Sequence, residues 1–144
     1  MKFKALYILT ALLLGVAYSC KKNSTVYFPN VRFEEYVYLN NPSSFPITSP
    51  GGHIFHSGGY RGLIIYRRTL NGTSDDFAIF DRACPEHFDD DCSVMDVSDD
   101  GLYAICPCNN ERYFLLDGSP AKGASLPLHP YPGILNRDVL YISN

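Results

Sequence analysis

The chain has 144 residues, with 15 acidic against 12 basic side chains and a net charge of −3. That length suits one domain better than two, and the acidic balance argues against a nucleic-acid-binding role, which needs a basic face. Ten prolines and 11 glycines leave little room for long helices, and 20 Tyr and Phe with no Trp are the expected makers of the core.

Lys2 and Lys4 precede an almost unbroken apolar run from Ala5 to Val16. It falls short of the roughly 20 residues that span a bilayer and has the make-up of a signal-peptide core. "AYSC" follows, with Ala17 and Ser19 just before Cys20, and resembles the lipobox of bacterial lipoproteins. On this reading residues 1–19 are a signal peptide, 20–30 a lipidated N-terminus and tether, and 31–144 one β domain. Each buried methylene contributes about 0.8 kcal/mol, so several acyl chains on Cys20 would tether the domain for its lifetime. The expected location is exported and membrane-anchored, facing the periplasm or cell surface, with the membrane and a protein as partners and no nucleic acid. Without Lys2 and Lys4, ten basic residues face 15 acidic ones, a net charge of −5.

Beyond the tether, "VRFEEYVYL" (Val31 to Leu39) is rich in β-branched and aromatic residues and reads as a strand. Asn41 to Gly52 holds three prolines and two glycines and reads as a loop rather than a helix. "HIFH" and "GLIIYRRT" (Gly62 to Thr69) are the next strands, followed by an Asn-Gly turn in "LNGTSDD" and a hairpin partner in "FAIFDRA" (Phe77 to Ala83). "SVMDV", "LYAIC" and "RYFLL" are short strands bounded by turns such as "SDDG" and "LDGS", and "VLYIS" is the last. No window carries helical spacing of apolar residues, so the fold class is all-β, with eight or so short strands.

Four cysteines remain beside Cys20: Cys84, Cys92, Cys106 and Cys108. An even number in an exported domain points to disulfides, with three pairings open. A zinc site from Cys84, His87, Cys106 and Cys108 has acceptable ligand types, but its spacings are less typical than paired Cys-x-x-Cys knuckles. Asp89, Asp90 and Asp91 lack the spaced oxygens and glycine of a calcium loop and read as solvated. His53, His56 and His129 read as surface or packing residues, and Asn71 of "NGT" as part of the hairpin turn. No arrangement of nucleophile, base and acid stands out, so no catalytic residue is assigned.

The loops "CPEHFDDDC" and "CPCNNERYFLLDG", with the tail "GSPAKGASLPLHPYPG", resemble the Rieske iron–sulfur family over roughly residues 52–144. "GGYRGLIIYRR" looks like exported Rieske-like proteins of Bacteroides-type bacteria. The resemblance implies a small antiparallel β sandwich or barrel with two cluster-type loops. In the family a Cys-x-His loop and a Cys-x-x-His loop ligate a 2Fe–2S cluster, and an extra cysteine in each loop forms a bridge. Cys106, Pro107, Cys108, Tyr113 and the Asp117-Gly118 turn match the second loop. Asn109 stands at the second histidine position, Glu86 at the first, and His87 one residue later. An Asn amide is a neutral, weak ligand for iron, whereas two imidazoles define a Rieske centre. Glu111 would add negative charge beside an anionic cluster.

Cys84, His87 and Cys106 are therefore equivalents of cluster ligands with no cofactor as the expected state, a 2Fe–2S cluster being the alternative. The family bridge implies Cys92–Cys108, and the vacated ligand positions imply Cys84–Cys106. The expected function is a non-catalytic binding or structural module held by disulfides, or else an electron carrier serving a membrane or periplasmic partner.

Overall fold

The computed structural model describes residues 27–144. The apolar leader and Cys20, with the assignments made on them, lie outside the described residues. Among the described residues, nine strands form three antiparallel three-stranded sheets: β1 (Glu34–Tyr38), β2 (His53–His56), β3 (Leu63–Arg67), β4 (Phe77–Asp81), β5 (Asp96–Val97), β6 (Tyr103–Ile105), β7 (Arg112–Phe114), β8 (Gly133–Asn136) and β9 (Val139–Ser143). Their orders are β1-β9-β8, β2-β3-β4 and β5-β6-β7. The all-β class read from the sequence is what the chain adopts. Among the described residues no helix is long and apolar enough to cross a membrane.

The central sheet is covered on both faces, which is why "LIIYR" and "FAIFD" do not alternate with polar residues. Every residue of β3 and β4 is buried. Ile64, Tyr66, Ala78 and Phe80 face one core with Met95, Ala104, Tyr113, Leu115, Cys84 and Cys106. Leu63, Ile65, Phe77 and Ile79 face the other, with Val37, Tyr131, Leu140 and Ile142. Burying a Leu, Ile or Phe side chain stabilises by about 1.5–3 kcal/mol, so these two clusters dominate folding.

Several sequence expectations need correction. Aliphatic side chains share the core with Tyr66, Phe77, Phe80, Phe88, Tyr113 and Tyr131, while Tyr27, Tyr36, Tyr38, Phe45, Phe55 and Phe114 are exposed. Strand patterning selects aromatic residues for solvent faces as well as cores. The segment read as a loop contains a 3-10 helix, Pro42–Thr48, begun by proline at its first positions. Proline suits the start of a helix because its missing N–H would go unbonded there. "GILN" carries no strand signal of its own, yet it pairs with β9 through a two-residue turn in which Arg137 takes φ 54°.

The β3–β4 connection also differs from a two-residue Asn-Gly turn. It contains a 3-10 turn, Ser74–Asp76, and the buried Asp76 carboxylate organises it. That carboxylate accepts hydrogen bonds from the Thr69 hydroxyl and the amides of Asn71, Gly72 and Thr73, with the Arg67 guanidinium 3.5 Å away. Burial pushes the acid's pKa up, but these hydrogen bonds outweigh it and hold the group down at about 2. A depressed folded-state pKa gives stability that is fully present above the ordinary carboxylate range and is lost as pH falls toward 2. Wild-type protein is therefore expected to lose stability through that window, and Asp76→Asn to lose less of it, in urea melts run between pH 5 and pH 2.

At the start of the tail, Gly118 has φ 75°, and a Cβ there would stand 2.5 Å from the Phe80 ring. The Asp117-Gly118 turn thus needs glycine for its backbone and for its approach to the core.

Candidate functional site

Two loops from different sheets converge on one end of the first core. The first leaves β4 and runs from Cys84 to Cys92 as a chain of short turns, with His87 N–H on the Cys84 carbonyl at 3.1 Å and Asp90 N–H on the His87 carbonyl at 3.0 Å. The second links β6 to β7. The Cys106 N–H donates to the Glu111 carbonyl across its base, and Asn110 takes φ 62° within it. Asn tolerates this left-handed conformation better than other side chains.

The loops are joined twice. Cys84 is bonded to Cys106 with Cα atoms 5.5 Å apart, and Cys92 to Cys108 at 5.2 Å. This is the pairing that the two-loop resemblance implied. The bonds differ in setting: Cys84 and Cys106 have no exposed surface, Cys92 is exposed and Cys108 is partly exposed. They are also neighbours, with the sulfurs of Cys84, Cys106 and Cys108 all within 4.8 Å of one another.

His87 and Asn109 meet beside this sulfur group. Asn109 Oδ1 accepts the Glu111 N–H at 3.1 Å, which fixes its amide so that Nδ2 is the donor. Nδ2 then lies 2.9 Å from His87 Nε2, and His87 Nδ1 lies 3.0 Å from Asp90 Oδ2. The consistent tautomer carries its proton on Nδ1, donated to Asp90, and accepts from Asn109 at Nε2. The lone pair of the one imidazole in the site is thereby engaged by the residue that stands in the second histidine's place.

A 2Fe–2S cluster of the Rieske kind requires two thiolates and two imidazoles. Here both candidate thiolates are spent on each other, one imidazole is present and its partner position holds an amide. This donor set does not fit the group. It does not fit zinc in the same state either, since Cys84, Cys106 and Cys108 are all disulfide-bonded.

Glu86 and Glu111 each accept hydrogen bonds. Glu86, at the first histidine position, accepts the N–H groups of Ser125 at 2.8 Å and Leu126 at 3.1 Å, pinning the proline-rich tail against the first loop. Glu111, whose charge the sequence placed in the second loop, has a partner of its own. It is buried and accepts the Tyr113 hydroxyl at 2.8 Å. Burial, reinforced by that carboxylate, pushes the Tyr113 pKa well above its ordinary range, so the phenol stays a donor. Replacing Glu86 with Gln should keep the fold and weaken the tail clamp. The expected result is faster amide exchange at Ser125 and Leu126, by roughly tenfold for a loss of about 1.4 kcal/mol.

Asp89 to Asp91 lie in solvent, as read from the sequence, and two of them also have partners. Asp89 accepts the Tyr60 hydroxyl at 2.8 Å and Asp90 holds His87, though all three remain exposed. His129 stacks on Phe28 with ring centres 4.3 Å apart, and burial lowers its pKa. His56 lies 3.6 Å from Glu35, a partner not foreseen, and His53 is half-buried with its pKa lowered for the same reason as His129.

Sequence reasoning missed Asp81. It is fully buried at the end of β4 and receives the N–H groups of Tyr60, Arg61 and Ala83 and the Tyr131 hydroxyl. Gly59 permits this convergence, because a Cβ there, at φ 63°, would run into Asp81 Oδ2. The available signal was a carboxylate ending an otherwise apolar five-residue strand, which is costly unless every oxygen is bonded.

No protein-family model matches the sequence, and no curated protein matches it. Among solved structures the chain is similar to the ferredoxin of carbazole 1,9a-dioxygenase from Nocardioides aromaticivorans, at 15% identity over 65% of this chain and 86% of that one, with a TM-score of 0.44. It is also similar to a putative NADH-dependent nitrite reductase small subunit from Mycobacterium tuberculosis, at 13% identity over 80% of this chain and 97% of that one, with a TM-score of 0.46. A third is the Escherichia coli protein NirD, at 14% identity over 78% and 98%, with a TM-score of 0.45. At such identities and scores the likeness transfers neither chemistry nor partner to this chain.

Proposed function

We propose that this chain is an exported, lipid-anchored β module of Rieske type whose cluster site has been converted into a disulfide-bonded junction, and that it binds or braces a protein partner without catalysing a reaction. The observation that carries this reading is the bond between Cys84 and Cys106, the two sulfurs that a cluster would need. The engagement of His87 by Asn109 and Asp90 supports it, as does the reassignment of Glu86 to the tail. The lipobox-like "AYSC" and the likeness of "GGYRGLIIYRR" to Bacteroides-type exported proteins support the location and anchor.

Iron-based electron transfer is the competing reading, favoured by the proximity of three sulfurs to one another. The two separate on purification without air, followed by iron and sulfide analysis, thiol counting and EPR of the reduced sample. Iron-free protein without free thiols at Cys84 and Cys106 is the expected result. Stoichiometric iron and sulfide overturns the module reading. Asn109→His supplies a second check: with Cys84 and Cys106 bonded to each other, the added imidazole should not confer cluster binding on reconstitution.

A further inference from the structure

We propose that the two disulfides form a thiol–disulfide exchange unit, with Cys92–Cys108 as the outer bond that meets a dithiol reductant and Cys84–Cys106 as the buried bond to which reduction is passed. The proposal rests on the disulfide-bonded reading of the site and adds a reaction to it.

Three observations converge. The first is access. Exchange begins by attack of a thiolate on a sulfur it can reach, and Cys92 is exposed whereas Cys84 and Cys106 have no exposed surface. The second is proximity. Cys108 belongs to the outer bond, yet its sulfur lies within 4.8 Å of both sulfurs of the inner one. Once released, it needs a shift of about 1 Å to touch them, given a usual heavy-atom contact distance near 4 Å. The third is connectivity. Cys106 and Cys108 share a tight loop with Pro107 between them, whereas Cys84 comes from the opposite loop. Attack by Cys108 on Cys84 therefore keeps the two loops joined, while attack on Cys106 would unlink them.

The steps balance as follows. A thiolate of the dithiol bonds to Cys92 Sγ, and the Cys92–Cys108 bond breaks with its electron pair on Cys108. Cys108 Sγ then bonds to Cys84 Sγ, and the Cys84–Cys106 bond breaks with its pair on Cys106. The second thiol of the reductant displaces Cys92, closing the reductant to its own disulfide. The two protons of the dithiol end on Cys92 and Cys106. One dithiol is oxidised, one protein disulfide is reduced, and a Cys84–Cys108 bond remains. Along this route the junction is never without a covalent link between loops.

The experiment uses the purified full chain and dithiothreitol at less than one equivalent, quenched with N-ethylmaleimide and mapped by mass spectrometry without reduction. The expected product has a Cys84–Cys108 cross-link, with label on Cys106 equal to that on Cys92. Label confined to Cys92 and Cys108, with Cys84–Cys106 intact throughout prolonged incubation, overturns the proposal. Cys92→Ser provides an independent route, since it leaves Cys108 free without any reductant. In the folded variant label should move from Cys108 to Cys106, and retention on Cys108 overturns the exchange. Iron and sulfide measured on the same untreated sample keep the two claims apart. A cluster-bearing protein with unbonded cysteines overturns the disulfide reading and the exchange together, whereas an iron-free protein with an inert inner bond overturns the exchange alone.

Discussion

Asp81→Ala is expected to destabilise the protein by about 4 kcal/mol, in the range of the largest single-substitution effects. The carboxylate is fully buried and satisfies three backbone amides and the Tyr131 hydroxyl. Alanine leaves all four donors without a partner in a water-poor setting, and each unsatisfied buried donor costs about 1–3 kcal/mol before relaxation. Tyr131→Phe removes one donor and leaves the carboxylate three, so its cost should be about 1 kcal/mol. Urea denaturation of both variants checks the ratio. Similar losses in the two would mean that Asp81 acts only through Tyr131. Because Asp81 ties the Tyr60–Arg61 turn to Ala83, its loss should also loosen the entry to the first cysteine loop, seen as increased exchange at the Cys84 amide.

The second large effect concerns the inner disulfide. Cys84→Ala with Cys106→Ala removes a cross-link spanning 22 residues, for which the chain-entropy relation gives about 3 kcal/mol. The bond also sits inside the core with Met95, Ala104 and Tyr113, so lost packing adds to that figure. The outer pair, separated by 16 residues, has a similar entropic value of about 3 kcal/mol. The two closed loops overlap along the chain, so each bond partly covers for the other, and removing both pairs should cost more than the sum of removing each. Chemical denaturation of the two double variants and the quadruple variant measures that excess. Equal additivity would mean that the bonds stabilise independent regions.

How much of this was readable beforehand depended on the kind of signal. β3, β4 and β9 were legible because apolar and β-branched runs bounded by turn residues admit few other arrangements. β8 was not, because "GILN" is short, follows two prolines and gains its strand identity from pairing with β9. The cysteine loops were legible as loops, and the substitutions at Glu86 and Asn109 were visible as departures from a ligand pattern. Their present partners were not visible. Glu86 bonds the amides of Ser125 and Leu126, some forty residues away in sequence, and local patterning holds no trace of such a contact. Asp81 shares this character: it is a lone acid in the sequence, and only tertiary structure supplies the Tyr60, Arg61 and Tyr131 donors that make its burial tolerable.

The pairing of β1 with β9 bears on the order in which the chain can fold. Strands β2, β3 and β4 join through short connections, so their hairpins form from neighbouring segments at little entropic cost. Glu34 meets Ser143 at the opposite extreme, and closing a loop of roughly a hundred residues adds a slowly growing but early penalty. During synthesis the face of β3 and β4 formed by Leu63, Ile65, Phe77 and Ile79 has Ile47 at hand but must wait for Leu140 and Ile142 to emerge before it is fully covered. That interval is when the nascent chain is most exposed to association with others, and it ends only when the last strand docks.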